Sequence, residues 1–244
     1  MIRIKHLSKT IQNQKILDDI NLEIKEGELL VILGQSGAGK SVFLKHLIGL
    51  FKPDSGSVEI DAVDITNFSE SELLKVRKNI GYLFQEGALY DFMDIYENIA
   101  FPLEEHTDLK SAEIDDKVRG ILRLVGLEGA ESKYPVELSG GMRKRAALAR
   151  SVILNSKILL CDEPTSGLDP IRSRDISDLI KDISKKFHCT TVVTSHDVKN
   201  SFRIADRLAI LDEGTIVALG TKDELQASRN PFVQEFLGLN VKSK

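Results

Sequence analysis

Residues 34–41 read GQSGAGKS and fit the pattern G-x-x-x-x-G-K-[ST]. The spacing has a chemical reason. Gly34, Gly37 and Gly39 let the chain wrap, so that backbone N–H groups from Gly34, Gln35, Ser36, Gly37, Ala38 and Gly39 converge on phosphate oxygens. The helix that follows adds its positive N-terminus. Lys40 can reach the β- and γ-phosphates of a nucleotide, and the Ser41 hydroxyl can ligate Mg²⁺. The competing reading is a glycine-rich turn that happens to precede a lysine. A buried-type strand before the loop (LLVIL) and a helical pattern after it (SVFLKHLIGL) argue for phosphate.

Hydrolysis needs a second element, and ILLCDEP supplies it. An apolar run from Ile158 to Cys161 ends in Asp162 and Glu163, at the kind of strand edge where ligands sit in open α/β sheets. Asp162 is placed to hold a magnesium shell and Glu163 to polarise an attacking water. An acidic pair after a strand is more often a helix-capping turn, and only its company with the phosphate loop raises it above that. His196 closes a further apolar strand, TTVVTSHD, and is assigned to the γ-phosphate. Gln85, just after IGYLF, completes the metal and water shell.

LSGGMRKRAALAR, residues 138–150, reads as a helix opening at Ser139 with its charges badly placed. Arg143, Lys144 and Arg145 crowd a turn whose dipole already carries partial positive charge. Gly140 and Gly141 leave the backbone bare ahead of them. Such a helix start suits an anion, with Ser139 both capping and offering a hydroxyl. The plainer alternative turns the cations into solvent beside acidic neighbours, and holds for at least one of the three. Ala146, Leu148, Ala149 and Ile153 form the apolar stripe that fixes the helix.

These residues need a scaffold. IRIKH and KILDDINLEI alternate as strands ahead of LLVIL, SVEID returns as a strand, and residues 69–79 make a short polar helix. From about 90 to 155 helical patterns follow one another (DKVRGILRLVGL, then SGGMRKRAALARSVIL), reading as a helical subdomain within a single domain spanning 1–244. Strands ILLCD, TTVVTS and RLAIL then alternate with helices, the hairpin EGTIVALG follows, and TKDELQASRNPFVQEFL closes with one or two helices. That order predicts an α/β core with a mainly parallel sheet, preceded by an antiparallel β region.

The chain has 244 residues, of which 42% are hydrophobic and 29% charged, with a net charge of −4. This balance argues against general nucleic-acid affinity, since there is no basic excess to release counterions. Cys161 and Cys189 sit in apolar runs and read as core residues of a reducing compartment. No secretory signal or membrane-spanning run is visible in this sequence. The expected location is therefore cytoplasmic, with any role at a membrane mediated by a partner.

GQSGAGKS, Gln85, LSGGM, ILLCDE, SGLD (166–169) and His196 stand in the order found in ATP-binding cassette (ABC) transporter ATPases, which the chain resembles over essentially its whole length. The resemblance implies a P-loop NTPase core, ATP with Mg²⁺, and two ATPase domains paired head to tail. Ser139, Gly140 and Gly141 would then contact the γ-phosphate bound to a partner copy, and Asp169 would lie at the dimer interface. Ile11 stands where the family usually stacks an aromatic on adenine, and Met142 replaces the common glutamine. YLFQEGALYDFMDIYENIAFPLEEHTDL, with LSGGMRKRAALAR and DEPTSGLDP, is similar to the ATPase of Mla (maintenance of lipid asymmetry) and related MCE-associated lipid transporters. That likeness implies a membrane permease on the inner face of the cytoplasmic membrane, an MCE-type lipid-binding protein and a phospholipid cargo. Rival readings are importers of another small cargo, a cassette acting on DNA or the ribosome, and a cassette that binds nucleotide without turning it over. Intact Glu163 and His196 speak against the last, and the absence of heptads or a second cassette against the DNA or ribosome reading.

Overall fold

The computed structural model describes residues 1–238. The chain divides into two compact units, one built from residues 1–73 and 190 onward, the other from 74–189.

In chain order the first unit begins with β1 (Ile2–Ile11) and β2 (Gln14–Ile24), an antiparallel pair joined through Gln12 and Asn13, both at positive φ. Then come β3 (Leu29–Leu33), α1 (Lys40–Leu47), β4 (Ser55–Ile60), the two-residue β5 (Val63–Asp64) and α2 (Glu70–Arg77). One sheet has the order β2-β1-β4-β5 and is antiparallel throughout. Its buried face follows from alternation: Ile2, Ile4, Leu17, Ile20, Leu22, Ile24 and Val58 are all buried while their neighbours stay wet.

The second unit holds β6 (Ile80–Leu83), α3 (Ile95–His106), α4 (Ser111–Leu124), a 3₁₀ turn at Pro135–Glu137, α5 (Gly140–Val152), β7 (Ile158–Asp162) and α6 (Pro170–Phe187). Every regular element described between β6 and β7 is helical. β6 and β7 run parallel, with Leu83 opposite Cys161. Helix α3 falls inside the expected helical block of about 90–155 but matches neither of the two patterns that define that block. Pro102 sits inside it and interrupts the pattern, yet a capping box built by Asp94 and Glu97 starts it firmly.

The chain returns to the first unit with β8 (Thr190–Ser195), α7 (Val198–Ile204), β9 (Arg207–Asp212), β10 (Thr215–Gly220), α8 (Lys222–Gln226) and α9 (Pro231–Phe236). β3 pairs in parallel with both β8 and β9, and β10 closes antiparallel on β9. All five residues of β3 and all six of β8 are buried, as expected of parallel strands covered on both faces. Glu28, ahead of β3, is 7% exposed and is tied to Arg207 of β9 at 2.6 Å, which pins the start of this parallel set. Cys161 and Cys189 are buried thiols, and the Cys189 thiol donates to the Ser156 carbonyl at 2.9 Å.

Candidate nucleotide site

Each unit carries part of the chemistry. In the first, β3 delivers the phosphate loop. Leu33 is paired with Ser195 in parallel register, so Gly34 and His196 leave their strands at the same edge, and the Gly34 N–H donates to the Ser195 carbonyl at 3.3 Å. Gly37 and Gly39 stand at φ of 84° and 101°, a left-handed backbone that side chains resist. Gln35, Ser36 and Gly37 are exposed, and Ala38 is buried.

Gly39 caps α1 without any side-chain bond, and the first turn holds no acidic residue. With no capping side chain and no acid in its first turn, the positive start of α1 suits an anion. The Lys40 ammonium, 5% exposed, donates to the Gly34 carbonyl at 2.7 Å and the Gln35 carbonyl at 2.9 Å, which holds it on the loop. Ser41 is half-buried in the first turn of α1. His196 is exposed, one residue before Asp197, whose side chain caps α7. Ile11 ends β1 opposite Gln14 and is half-buried.

In the second unit the edges of β6 and β7 bring Gln85, Asp162 and Glu163 together. Asp162 and Glu163 are buried, at 5% and 8% exposure, where an ordinary capping turn would leave its carboxylates in water. Glu163 adopts φ 44°, a strained backbone for a glutamate. Its carbonyl accepts the Ser166 N–H at 3.0 Å, and the Ser166 hydroxyl meets the Gln85 side-chain nitrogen at 3.3 Å. Gln85 thus spends its amide nitrogen on the protein and keeps its amide oxygen as a possible ligand. The Tyr82 hydroxyl donates to Asp162 Oδ2 at 3.4 Å. Burial, followed by the neighbouring Asp162 charge, pushes the Tyr82 phenol up, so it stays a donor. Sequence reasoning missed Tyr82; its place on β6 opposite Leu160 is the signal that finds it.

Ser139 is the cap of α5 and not its first residue; its hydroxyl accepts from the Met142 N–H at 3.4 Å. Gly140 and Gly141 open the helix, and no acidic residue lies in its first turn. The stripe of Ala146, Leu148, Ala149 and Ile153 is buried. The three cations behave differently from expectation. Arg143 is exposed and donates to the Leu138 carbonyl at 3.1 Å; Arg145 donates to the Val125 carbonyl at 2.8 Å; Lys144 is buried and donates to the Gln85 carbonyl. They satisfy backbone carbonyls where the chain lacks regular pairing, neither aiming together at an anion nor pairing with acidic side chains. Asp169 caps α6, accepting from Ile171 and Arg172 N–H groups at 3.1 Å. Those bonds, led by the one from Arg172, hold its carboxyl below the usual range.

A phosphate loop in one unit and buried carboxylates at a strand end in the other are the parts that an ATP-hydrolysing cassette needs, and the comparisons with known proteins agree. A family profile described as ABC transporter matches residues 17–166, and the chain belongs to that family. It is 47% identical over 236 residues to the probable ribonucleotide transport ATP-binding protein mkl of Mycobacterium leprae, covering 97% of this chain and 68% of that protein. This chain thus spans about two thirds of the length of the mycobacterial relatives. It is 40% identical over 237 residues to the intermembrane phospholipid transport system ATP-binding protein MlaF of Haemophilus influenzae, covering 97% and 90%. With the methionine import ATP-binding protein MetN of Carboxydothermus hydrogenoformans it shares 41% over 241 residues, covering 97% and 71%. Among solved structures, the dimeric post-hydrolysis state of the ATP-binding cassette MJ0796 bound to ADP and Pi superposes with a TM-score of 0.83. There the identity is 31%, covering 91% of this chain and 98% of the other. The fold is the α/β P-loop core of an ABC ATPase, and the protein is an ATPase that uses ATP with Mg²⁺.

Proposed function

We propose that this chain is the ATP-hydrolysing subunit of a transporter that moves phospholipid or a related lipid, working as a head-to-tail dimer on a membrane permease. The helical block of about 90–155 serves as the subdomain that answers to the permease, and an MCE-type lipid-binding protein is the further partner. The observation that carries the lipid reading is the likeness to MlaF, which extends over 90% of that protein and includes the stretch from Tyr82 to Leu109. Attachment to the inner face of the cytoplasmic membrane follows from the permease; no described helix is long and apolar enough to cross a membrane.

The residues present suit magnesium. A hydroxyl from Ser41, a carboxylate from Asp162 and the amide oxygen of Gln85 are hard oxygen donors, and Mg²⁺ favours few protein ligands beside substrate phosphates. Held by these residues, Mg²⁺ would supply positive charge against the phosphates. The chain's own groups do the rest. Lys40 and the loop N–H groups beyond Gly34, whose own N–H is given to Ser195, orient the phosphates, Glu163 takes a proton from the attacking water, and His196 contacts the γ-phosphate. Ile11 offers an apolar contact for the base. Ser139, Gly140 and Gly141 serve the γ-phosphate on the partner copy, and Asp169 lies at the interface.

Glu163→Gln should bind ATP and dimerise but release no phosphate, whereas Lys40→Ala should lose nucleotide affinity. Steady-state phosphate release by Glu163→Gln near the wild-type rate defeats the base assignment. Cargo is tested by purifying the protein with its membrane subunit and identifying bound lipid by mass spectrometry. The likeness to a methionine import protein favours a second reading, an importer of a small polar cargo. A lipid-free complex that binds an amino acid would establish that reading instead.

A further inference from the structure

Gln85 belongs to a stretch that the rest of the fold barely pairs. Between Gln85 and Asp94 the backbone bonds of the chain itself are few, among them Gly87 N–H to Phe84 and Met93 N–H to Tyr90. Side chains from α5 hold this stretch. Lys144 donates to the Gln85 carbonyl, and Arg150 donates to the Ala88 and Gly87 carbonyls at 2.8 and 3.2 Å while lying 5.4 Å from the Tyr90 ring centre. From the other side Asn98, fully buried, takes the Tyr90 N–H and donates to the Tyr90, Met93 and Asp94 carbonyls.

Lys144 is the costly member of this set. The residue is 7% exposed, and burial pulls its proton affinity down, only partly offset by Glu86, Asp162 and Glu163. A fold needing only a brace would do as well with an amide or a packed apolar chain. A charged donor at this point bonds strongly and with direction to one carbonyl. That carbonyl belongs to the residue whose side chain is the candidate metal ligand. Lys144 stands one helical turn after Gly140, in a helix of 13 residues, so a shift of the opening turn moves its ammonium as well.

We infer that Lys144 is a positioning residue, which transmits occupation of the Ser139-Gly140-Gly141 turn by one nucleotide to Gln85, a ligand at the other nucleotide of the dimer. The inference rests on the head-to-tail reading above. It makes the two ATP sites sense each other through each chain, by way of a single part-buried bond.

The test compares Lys144→Met, which keeps length and apolar bulk, and Lys144→Gln, whose donor is neutral, with Lys144→Arg, which keeps a charged donor. Phosphate release is measured against ATP concentration, with ATP affinity of the isolated chain and thermal unfolding measured alongside. Lys144→Met should bind ATP like the wild type, turn over about tenfold more slowly and lose the Hill slope expected of two coupled sites. Lys144→Arg should restore the slope. If Lys144→Met fails to fold, Lys144→Gln carries the comparison, with a reduced slope at unchanged ATP affinity. A wild-type curve without cooperativity, a Lys144→Met slope equal to wild type, or a slope that Lys144→Arg leaves lost overturns the inference. The underlying reading fails separately, when Glu163→Gln forms no dimer on adding ATP.

Discussion

The turn ahead of α1 and the turn ahead of α5 both carry glycines, and neither has an acidic residue in its first helical turn. Their glycines stand under different constraints. Gly37 and Gly39 have positive φ, and a Cβ on Gly39 would come within 2.8 Å of the Ile16 carbonyl and 3.0 Å of Leu17. Gly140 and Gly141 have ordinary helical backbone, with the nearest atoms to an added Cβ at 3.4 Å on Leu168 and 3.6 Å on Arg172. The phosphate loop needs its glycines to exist at all. The α5 turn would fold as well with alanines, and helix propensity would favour them. A glycine pair that its own fold does not require fits the proposal that this turn serves a partner's nucleotide.

That contrast is breakable, first and most severely at Gly39. Gly39→Ala combines a forbidden φ with a backbone clash, and should cost about 3 kcal/mol of stability and abolish ATP binding. Equilibrium unfolding and nucleotide titration check it; an alanine variant that binds ATP normally would remove the loop half of the comparison. Gly141→Ala should behave in the opposite sense. Stability should rise by about 0.5 kcal/mol, ATP should bind the isolated chain as before, and turnover should fall at least about tenfold. Retained turnover in this variant would mean that the bare backbone serves nothing beyond the chain.

Ser139 gives a finer cut. Aspartate is as good a cap as serine and better matched to the helix dipole, so Ser139→Asp should hold or raise the melting temperature. Its charge would nonetheless repel an incoming phosphate, and turnover should drop several-fold. Ser139→Ala should lose about 0.5 kcal/mol, the low end for a cap, because the Ser139 bond to Met142 is long at 3.4 Å. If aspartate leaves both melting and turnover untouched, the hydroxyl is a cap and nothing more.

The two turns also differ in how far the sequence revealed them. The phosphate loop was legible because its cause is local: strand, glycines, lysine and helix follow within a dozen residues, and the structure places β3 and α1 around it. The same holds for β7 with its buried Asp162 and Glu163. The α5 turn was legible only as an anomaly. Which way Arg143, Lys144 and Arg145 point depends on carbonyls at Leu138, Gln85 and Val125, and two of those lie far away in sequence. Helix α3 falls inside the block of about 90–155 expected to be helical, but its bounds show only in the structure, where the Asp94–Glu97 capping box starts it and Pro102 sits within it. Tyr82 shows its contact with Asp162 only once β6 is laid beside β7 in register.

The smallest effect separates the phosphate loop's helix from the rest by its response to acid. His46, on the buried face of α1, must carry its proton on Nδ1, because that atom meets the Val42 carbonyl at 2.8 Å. Its Nε2 is buried without a hydrogen-bond partner, and the ring lies edge-on to Phe51 at 5.9 Å. Burial, with Lys9 adding to it, holds its pKa below the ordinary 6.5, while the Val42 carbonyl and Asp54 oppose the shift only partly. The folded chain therefore resists a proton that the unfolded chain accepts. His46 takes nothing from stability above about 6.5, and stability falls as pH drops below that value towards the lower folded pKa. His46→Phe keeps the ring and its edge contact, removes the orphaned nitrogen, and should flatten that part of the profile. Denaturant unfolding of both proteins between neutral pH and mild acid reads the difference. Parallel profiles would show that α1 accommodates the charge, and that the backbone constraint on the phosphate loop ends at Gly39.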